Sequence, residues 1–127
     1  MKILLLDTMA TAPQVLEVEE GLETWYRLIR CDLIDITMRD VAGRQFDIIV
    51  DDEGLLKAGA KVTAIDGSGK PQLVGNLVFC HHDNEGGLTG LSDSDIAHLM
   101  KNIVVLTSTN PDKPDVWLAM RNVDFIR

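Results

Sequence analysis

The chain has 127 residues, 46% hydrophobic and 25% charged, with 20 acidic and 12 basic residues and a formal net charge of −8. These values are typical of a globular protein, and a chain of this length buries roughly two-thirds of its unfolded surface, so we expect a single adequate core. Because binding to phosphate backbones depends on Lys and Arg, the charge argues against direct nucleic-acid binding. It favours either solubility or a basic partner surface.

The first part of the chain predicts two strands and a helix. Ile3 to Leu6 is a continuous apolar run, which indicates a strand covered on both faces. The run ends at Asp7, too early for the core of a secretion signal. Val15 to Glu19 alternates as a second strand. An amphipathic helix follows, because apolar residues recur at helical spacing at Leu22, Trp25, Tyr26 and Ile29.

The segment after the helix alternates between apolar and polar residues from Leu33 to Met38. A period of two predicts a strand with one buried face. We expect the apolar residues from Ile34 to Met38 to point inward, and the polar residues between them, with Arg39 at the end, to point to solvent. No run of the chain approaches the length of a membrane span, so we expect a cytoplasmic protein without membrane contact.

Three apolar runs with glycine turns between them occupy the centre of the chain: Phe46 to Val50, Lys61 to Ile65, and Leu73 to His82. The glycine-rich segment Asp66 to Lys70 separates the last two, which is a strong hairpin signal. Since hairpins dominate where a parallel fold would need crossovers, we predict an α+β fold. Its sheet of short strands is mostly antiparallel, with two helices packed on one face.

The second helix is the best marked element. Ser92 is a suitable N-cap, Asp95 lies three residues later, and Leu91 and Ile96 are placed for a hydrophobic staple.

The C-terminal part is predicted less directly. Val104 to Thr107 favours a strand, and two prolines make 108–114 a linker or turn. Asp115 would then cap a short helix. We predict one α+β domain over residues 1–107 and a C-terminal extension over 108–127, a short helix or tail packed on the domain or at an interface.

His81 and His82 are the candidate metal ligands, with Asp83 or Asp51 as partners. Adjacent strand residues point to opposite faces, so only one of the two histidines can face a given site. Zinc sites place ligands at spacings that let them converge. We therefore expect no metal, no cofactor and no catalytic residue. A metal-assisted enzyme that uses one of the histidines is the alternative hypothesis, and a functional role for the loop from His81 to Gly87 stays open.

Other chemistry has little support in the sequence. The serines lie in turns or at a cap, without a G-x-S-x-G motif. Gly67 to Lys70 precedes Pro71 and a strand, so it predicts a hairpin turn and not a phosphate loop. Cys31 and Cys80 have apolar neighbours typical of core residues, and whether they pair stays open.

Candidate binding residues are one tryptophan and four arginines. Trp117 is either a core residue, the commoner fate of a large apolar group, or an interface anchor. The arginines are close in sequence around the first helix and the next strand, where they could form a pocket for an anion: Arg27, Arg30, Arg39 and Arg44.

Several short motifs carry a resemblance: Val18 to Glu23, Asp51 to Lys57, Val62 to Ile65, Gly75 to Val78, and Leu91 to Ile96. Over about residues 15–103 the chain resembles the domain-of-unknown-function family 3846, which is found in phages, plasmids and their bacterial hosts. The resemblance implies a small accessory protein of a mobile element. It implies no catalytic residue, because the family has no established activity.

From these observations we expect a non-enzymatic binding protein, phage- or plasmid-borne, that acts on a host component. In one version it inhibits a host protein such as a defence factor, through its acidic surface and Trp117. In the other version an oligomer sequesters a small anionic ligand such as a nucleotide signal. Because the edge strands of a small sheet need covering, we also predict a homodimer.

Overall fold

The computed structural model describes residues 1–126, which form two sheets and two α-helices. The helices are α1 (Leu22–Ile29) and α2 (Asp93–Met100), with a short 3₁₀ helix at Gly54–Leu56. The strands are β1 (Lys2–Leu6), β2 (Gln14–Glu17), β3 (Ile34–Val41), β4 (Arg44–Asp51), β5 (Val62–Ile65), β6 (Pro71–Val74), β7 (Leu77–His82), β8 (Leu88–Thr89), β9 (Ile103–Thr107), β10 (Val116–Met120) and β11 (Val123–Phe125).

The predicted α+β class with mostly antiparallel strands is confirmed. The larger sheet has the order β11-β3-β4-β7-β1-β2, with β8 paired to β7. All neighbouring strands in this sheet are antiparallel. The smaller sheet has the order β6-β5-β10-β9. Only its β5–β10 pair is parallel. Within residues 1–126, neither helix has the length and apolarity needed to cross a membrane.

The central strands of the larger sheet are buried on both faces, which explains the unbroken apolar sequence of β1. Leu4 and Leu6 belong to the core between the two sheets. Ile3 and Leu5 alternate with them and belong to a second core beneath α1. Successive strand residues point to opposite faces, so a strand with covers on both sides needs apolar residues at every position.

The helices lie on opposite faces of this sheet, whereas the sequence predicted them on one face. Trp25 and Leu28 of α1 pack with the Ile3 side of β1. Leu99 of α2 packs with the Leu4 side, together with the smaller sheet. The apolar stripe of a helix shows that the helix packs on a sheet, but it carries no information on which face. The predicted capping box of α2, between Ser92 and Asp95, is present.

The predicted strand from Leu73 to His82 is two strands in different sheets. Gly75, at φ +77°, allows the chain to turn between β6 and β7. The buried side chain of Asn76 then accepts a hydrogen bond from the Thr8 N–H at 3.0 Å and donates to the Leu28 carbonyl at 2.9 Å. These bonds hold the start of β7 against the ends of β1 and α1.

The short helix predicted after Asp115 is wrong, because this segment forms strands. β10 pairs with β9 from Val116↔Thr107 to Met120↔Ile103, and it lies between β9 and β5. β11 is an edge strand of the larger sheet, next to β3. The apolar run of β10 fits a buried helix or a buried strand, and pairing with β9 decides between them.

The predicted faces of β3 are confirmed at Ile34, which packs on the core beneath α1, and are wrong from Ile36 to Arg39. Arg39 is only 6% exposed, while Ile36 and Met38 are each 45% exposed. Val41, two residues after Arg39, is part of the core between the sheets. The period of two was correct, but the smaller sheet covers the Arg39 face and α1 does not extend over all of the opposite face.

A matched pair of leucine substitutions tests the core between the sheets. Leu6 is fully buried there, so Leu6→Ala should lower the free energy of unfolding by about 2–5 kcal/mol. The same change at Leu55, which is 81% exposed, should change it by less than about 0.5 kcal/mol. Urea unfolding followed by circular dichroism measures both values, and equal losses would contradict the described core.

Candidate functional site

An open groove lies between the larger sheet and β6, the outermost strand of the smaller sheet. Its first part is a cavity of about 350 Å³, with apolar walls that include Val50, Leu73 and Val74. Leu55 and Leu56 also line this cavity and are 81% and 82% exposed. A pair of leucines at the mouth of an apolar cavity is an uncommon arrangement for a water-facing turn.

The turn after β4 places these two leucines. Asp51 accepts a hydrogen bond from the Glu53 N–H at 2.9 Å and forms an ion pair with Lys57 at 2.5 Å. Gly54 packs closely against β6, since a Cβ added at Gly54 would lie 3.0 Å from Cγ2 of Val74. With the chain held at Asp51 and Gly54, the next two residues lie at the surface beside the cavity.

A hydrogen-bonded network around Arg39 links three strands beside this cavity. The Arg39 guanidinium donates from Nε to Oγ1 of Thr37 and from Nη1 to Oε1 of Gln72, both at 3.0 Å. Gln72 in turn donates to Asp66 at 3.4 Å. The guanidinium carbon lies 3.8 Å from the centroid of the Phe125 ring. Burial lowers the pKa of Arg39, and the network and the ring compensate the desolvated cation.

Gln72 separates the apolar cavity from an acidic one. The second cavity, of about 490 Å³, is lined by Gln72, Asp66, Asp124 and Phe125. A third, of about 470 Å³, shares Asp124 and Phe125 with it and adds Asp40. The groove is therefore apolar at one end and rimmed by carboxylates at the other.

The two adjacent histidines point to opposite faces of the larger sheet, as the strand geometry predicted. Nε2 of His81 lies 3.0 Å from Oδ2 of Asp95, and Nδ1 of His82 lies 2.6 Å from Oδ2 of Asp47. Each imidazole thus has one carboxylate partner of its own.

The predicted partners of these histidines are wrong. Asp83 accepts the N–H groups of Glu85 and Gly87, so it orders the loop from His81 to Gly87. Asp51 pairs with Lys57. Within residues 1–126, no group of three or more His, Cys, Asp or Glu side chains is arranged to hold a metal ion.

Asp95 joins α2 to the larger sheet. Its carboxylate accepts from the Ser92 N–H at 2.9 Å and from Arg44 at 3.2 Å, and it contacts His81. Burial by itself would raise the pKa of Asp95, but the hydrogen bonds from Ser92 and the nearby His81 outweigh it, and the pKa lies below its ordinary value. His81 also stacks on Phe46, with ring centroids 5.0 Å apart.

The four predicted arginines do not form one pocket. Arg30, at the end of α1, makes two hydrogen bonds to Asp7, and Arg44 reaches α2. Arg27 is exposed on α1. Arg39 alone lies beside the groove.

Trp117 is half-buried and joins two strands of the smaller sheet. Its Nε1 donates to the Val62 carbonyl at 2.6 Å. Nζ of Lys61 lies 5.7 Å from the ring centroid and also pairs with Asp115. These contacts connect β10 to the segment that leads into β5.

Both cysteines are free and buried in the core beneath α1, so no disulfide joins them. Burial, with Asp47 and Glu20 nearby, raises the pKa of Cys80 to about 12. A thiol with this pKa stays protonated at neutral pH and is a poor nucleophile.

Sequence reasoning missed the residues that form the groove, above all Leu55, Leu56, Gln72 and Phe125. A signal was present for the two leucines, because they form an apolar pair inside an otherwise polar turn. The sequence has no comparable signal for Gln72 and Phe125, because both contact Arg39, which is distant from them in the chain.

Comparison with protein families gives one match. The model of the family described as domain of unknown function DUF3846 matches residues 1–103 of the chain. This range contains β1 to β8, α1 and α2, whereas β10 and β11 follow it. No curated protein and no solved structure matches the chain.

The lowered pKa of Asp95 predicts a loss of stability in acid. Its folded pKa lies below the unfolded value of about 3.9, so the stabilisation is present above that pH and is lost as the pH falls through the folded pKa. Asp95→Asn should therefore reduce the free energy of unfolding at pH 7. In this variant the free energy of unfolding should also fall less steeply between about pH 5 and pH 2. Urea midpoints across this range measure both effects, and an unchanged slope in the variant would contradict this role.

Proposed function

The chain belongs to the DUF3846 family, and because the description of that family names no function, we propose one from the groove beside β6. In this proposal the protein binds a polypeptide segment of a partner protein and acts by occupying it, without catalysis. The observation that carries the proposal is the pair of highly exposed leucines beside an apolar cavity of about 350 Å³.

Exposed apolar side chains beside a cavity favour a binding surface. Water around Leu55 and Leu56 is released when a partner covers them, and the cavity gives the partner an anchor point. Neighbouring Asp52 and Glu53 provide a polar rim, which is the usual composition around an apolar binding centre.

The chemistry available elsewhere supports binding over catalysis. Asp95 also caps α2 and binds Arg44, so the His81–Asp95 pair acts within a structural network. The Cys80 thiol is buried and protonated at neutral pH.

The pair formed by Asp47 and His82 favours a second candidate function. The buried Asp47 carboxylate orients the imidazole at a cavity of about 250 Å³, and an imidazole held by a carboxylate at one nitrogen is suited to bind a metal ion with the other. This is the remaining form of the metal-assisted enzyme hypothesis. Metal analysis of untagged protein tests that form, and stoichiometric zinc or manganese that is lost in His82→Ala would favour it over binding alone.

We propose the biological setting from the family resemblance. The protein acts in the cytoplasm as an accessory protein of a phage or plasmid, and its partner is a host protein such as a defence factor. Sequestration of a small anionic ligand is the weaker version, because the cavity next to the Arg39–Gln72 pair is lined by the carboxylates of Asp66 and Asp124.

Replacing the exposed leucines should weaken partner binding without unfolding the protein. Leu55→Ser together with Leu56→Ser should weaken affinity for the partner captured from host lysate by about 10- to 100-fold, since apolar anchors dominate binding energy. Leu22→Ser, which alters a leucine 58% exposed on α1, is the matched control. Titration of the purified partner measures the change, and equal affinity of both variants would contradict the proposal.

A homodimer also stays a prediction, because the two outermost strands of each sheet have edges that a second copy could cover. Light scattering at micromolar concentration should give twice the monomer mass of 14.0 kDa. A monomeric mass under these conditions would contradict it.

A further inference from the structure

We propose that the groove receives an extended, positively charged polypeptide segment, with one large apolar side chain in the Leu55–Leu56 cavity and a basic side chain two positions away beside Asp66 and Asp124. This inference rests on the proposed function and adds the chemistry and the conformation of the partner.

The apolar cavity determines which side chain of the partner can serve as its anchor. Its volume of about 350 Å³ lies at the lower end of the range for ligand pockets, and it gives room for a large side chain such as that of Leu or Phe. Leu73 and Val74 form the wall on the β6 side. An apolar anchor here would bury Leu55 and Leu56 as well, so both partners would lose apolar surface to water.

The carboxylates along the groove favour a positively charged partner segment. Asp52 and Glu53 lie beside the apolar cavity, and Asp66 and Asp124 line the next cavity. The backbone N–H of Lys70 and the hydroxyl of Ser68 donate to Asp66 and lower its pKa, so this carboxylate is ionised at neutral pH.

Among residues 1–126, the cation nearest to Asp66 is Lys70, whose charge contributes to lowering the pKa of Asp66, and the other nearby cations have partners of their own. Lys57 pairs with Asp51, and Arg39 is buried below the rim with Gln72 and Phe125. Lys70 is exposed in the β5–β6 turn. With a net charge of −8 over the chain, the surrounding field also favours a basic occupant.

The position of β6 favours an extended conformation of the bound segment. β6 is an outermost strand, so a peptide can pair with its free edge, which is a common mode of peptide recognition. Pro71 has no N–H, and Gly54 lies close to Val74, so pairing is confined to a short stretch around Gln72 and Leu73. A short pairing stretch holds the segment in register while side chains supply specificity.

The two cavities are neighbours, as the binding of one short segment to both requires. They share Gln72 as a wall, so they adjoin along β6. In an extended chain, side chains two positions apart lie on the same face, roughly 6.6 Å from each other. An apolar residue and a basic residue at positions i and i+2 can therefore enter the two cavities together.

Synthetic peptides of defined composition test this inference. We would use fluorescent peptides with Leu or Phe at a central position and either Lys or Glu two positions to each side, with a third set in which Ala replaces the anchor. Fluorescence anisotropy at about 0.05 M and about 0.5 M salt measures affinity, since exposed charges are screened at the higher concentration.

The Lys peptides should bind at least about tenfold more tightly than the Glu peptides at low salt, and high salt should narrow this difference. Asp66→Asn with Asp124→Asn should reduce the preference for Lys by about tenfold, and Asn keeps the turn-forming ability of Asp66. Asp32→Asn with Asp35→Asn removes the same charge from exposed positions elsewhere and is the control.

The results separate this inference from the proposed function. Equal binding of Lys and Glu peptides, or an unchanged preference in the Asp66 and Asp124 variant, would overturn the inference. If Leu55→Ser with Leu56→Ser still weakened partner binding in that case, the proposed function would stand. Failure of every peptide to bind, or equal binding of the Ala-anchor set, would also overturn the inference.

Discussion

The whole architecture depends on covering both faces of the larger sheet. β1, β4 and β7 have apolar residues on both sides, so neither face can be left to water. α1 covers one face, and the smaller sheet with α2 covers the other. The second cover requires the chain to leave the larger sheet after β4, build β5 and β6, and return as β7. The turn at Gly75 and the buried amide of Asn76 make that return.

The groove follows from this layering. The smaller sheet ends at β6, and Val50 of β4 lies beside it, which leaves apolar walls open to solvent at the edge of the core. Where the two sheets approach, a buried Arg39 bridges β3, β6 and β11 by hydrogen bonds and ring contact. Separating a buried cation from such partners is costly, so this network holds Gln72 and Phe125, which line the groove, in place.

Much of the local structure was predictable from sequence patterns. The continuous apolar run of β1, the capping box at Ser92 and Asp95, and the alternation of β3 each have a short-range physical cause. The predictions failed where distant partners decide. Arg39 was assigned to solvent because polar residues usually face water, but contact with Gln72 and Phe125 makes its burial tolerable. The last strands were predicted as a helix because the period of their apolar residues does not reveal that β10 pairs with β9 and β11 with β3.

The sequence alone therefore determined the α+β class, the existence of both α-helices and most of the strands before residue 108, and the separation of His81 from His82, since these depend on neighbours a few residues apart. Only the tertiary structure decided the faces of the two helices, the dispersal of the arginines, and the groove of Leu55, Leu56 and Gln72. These depend on contacts between residues far apart in the chain, and no local periodicity carries that information.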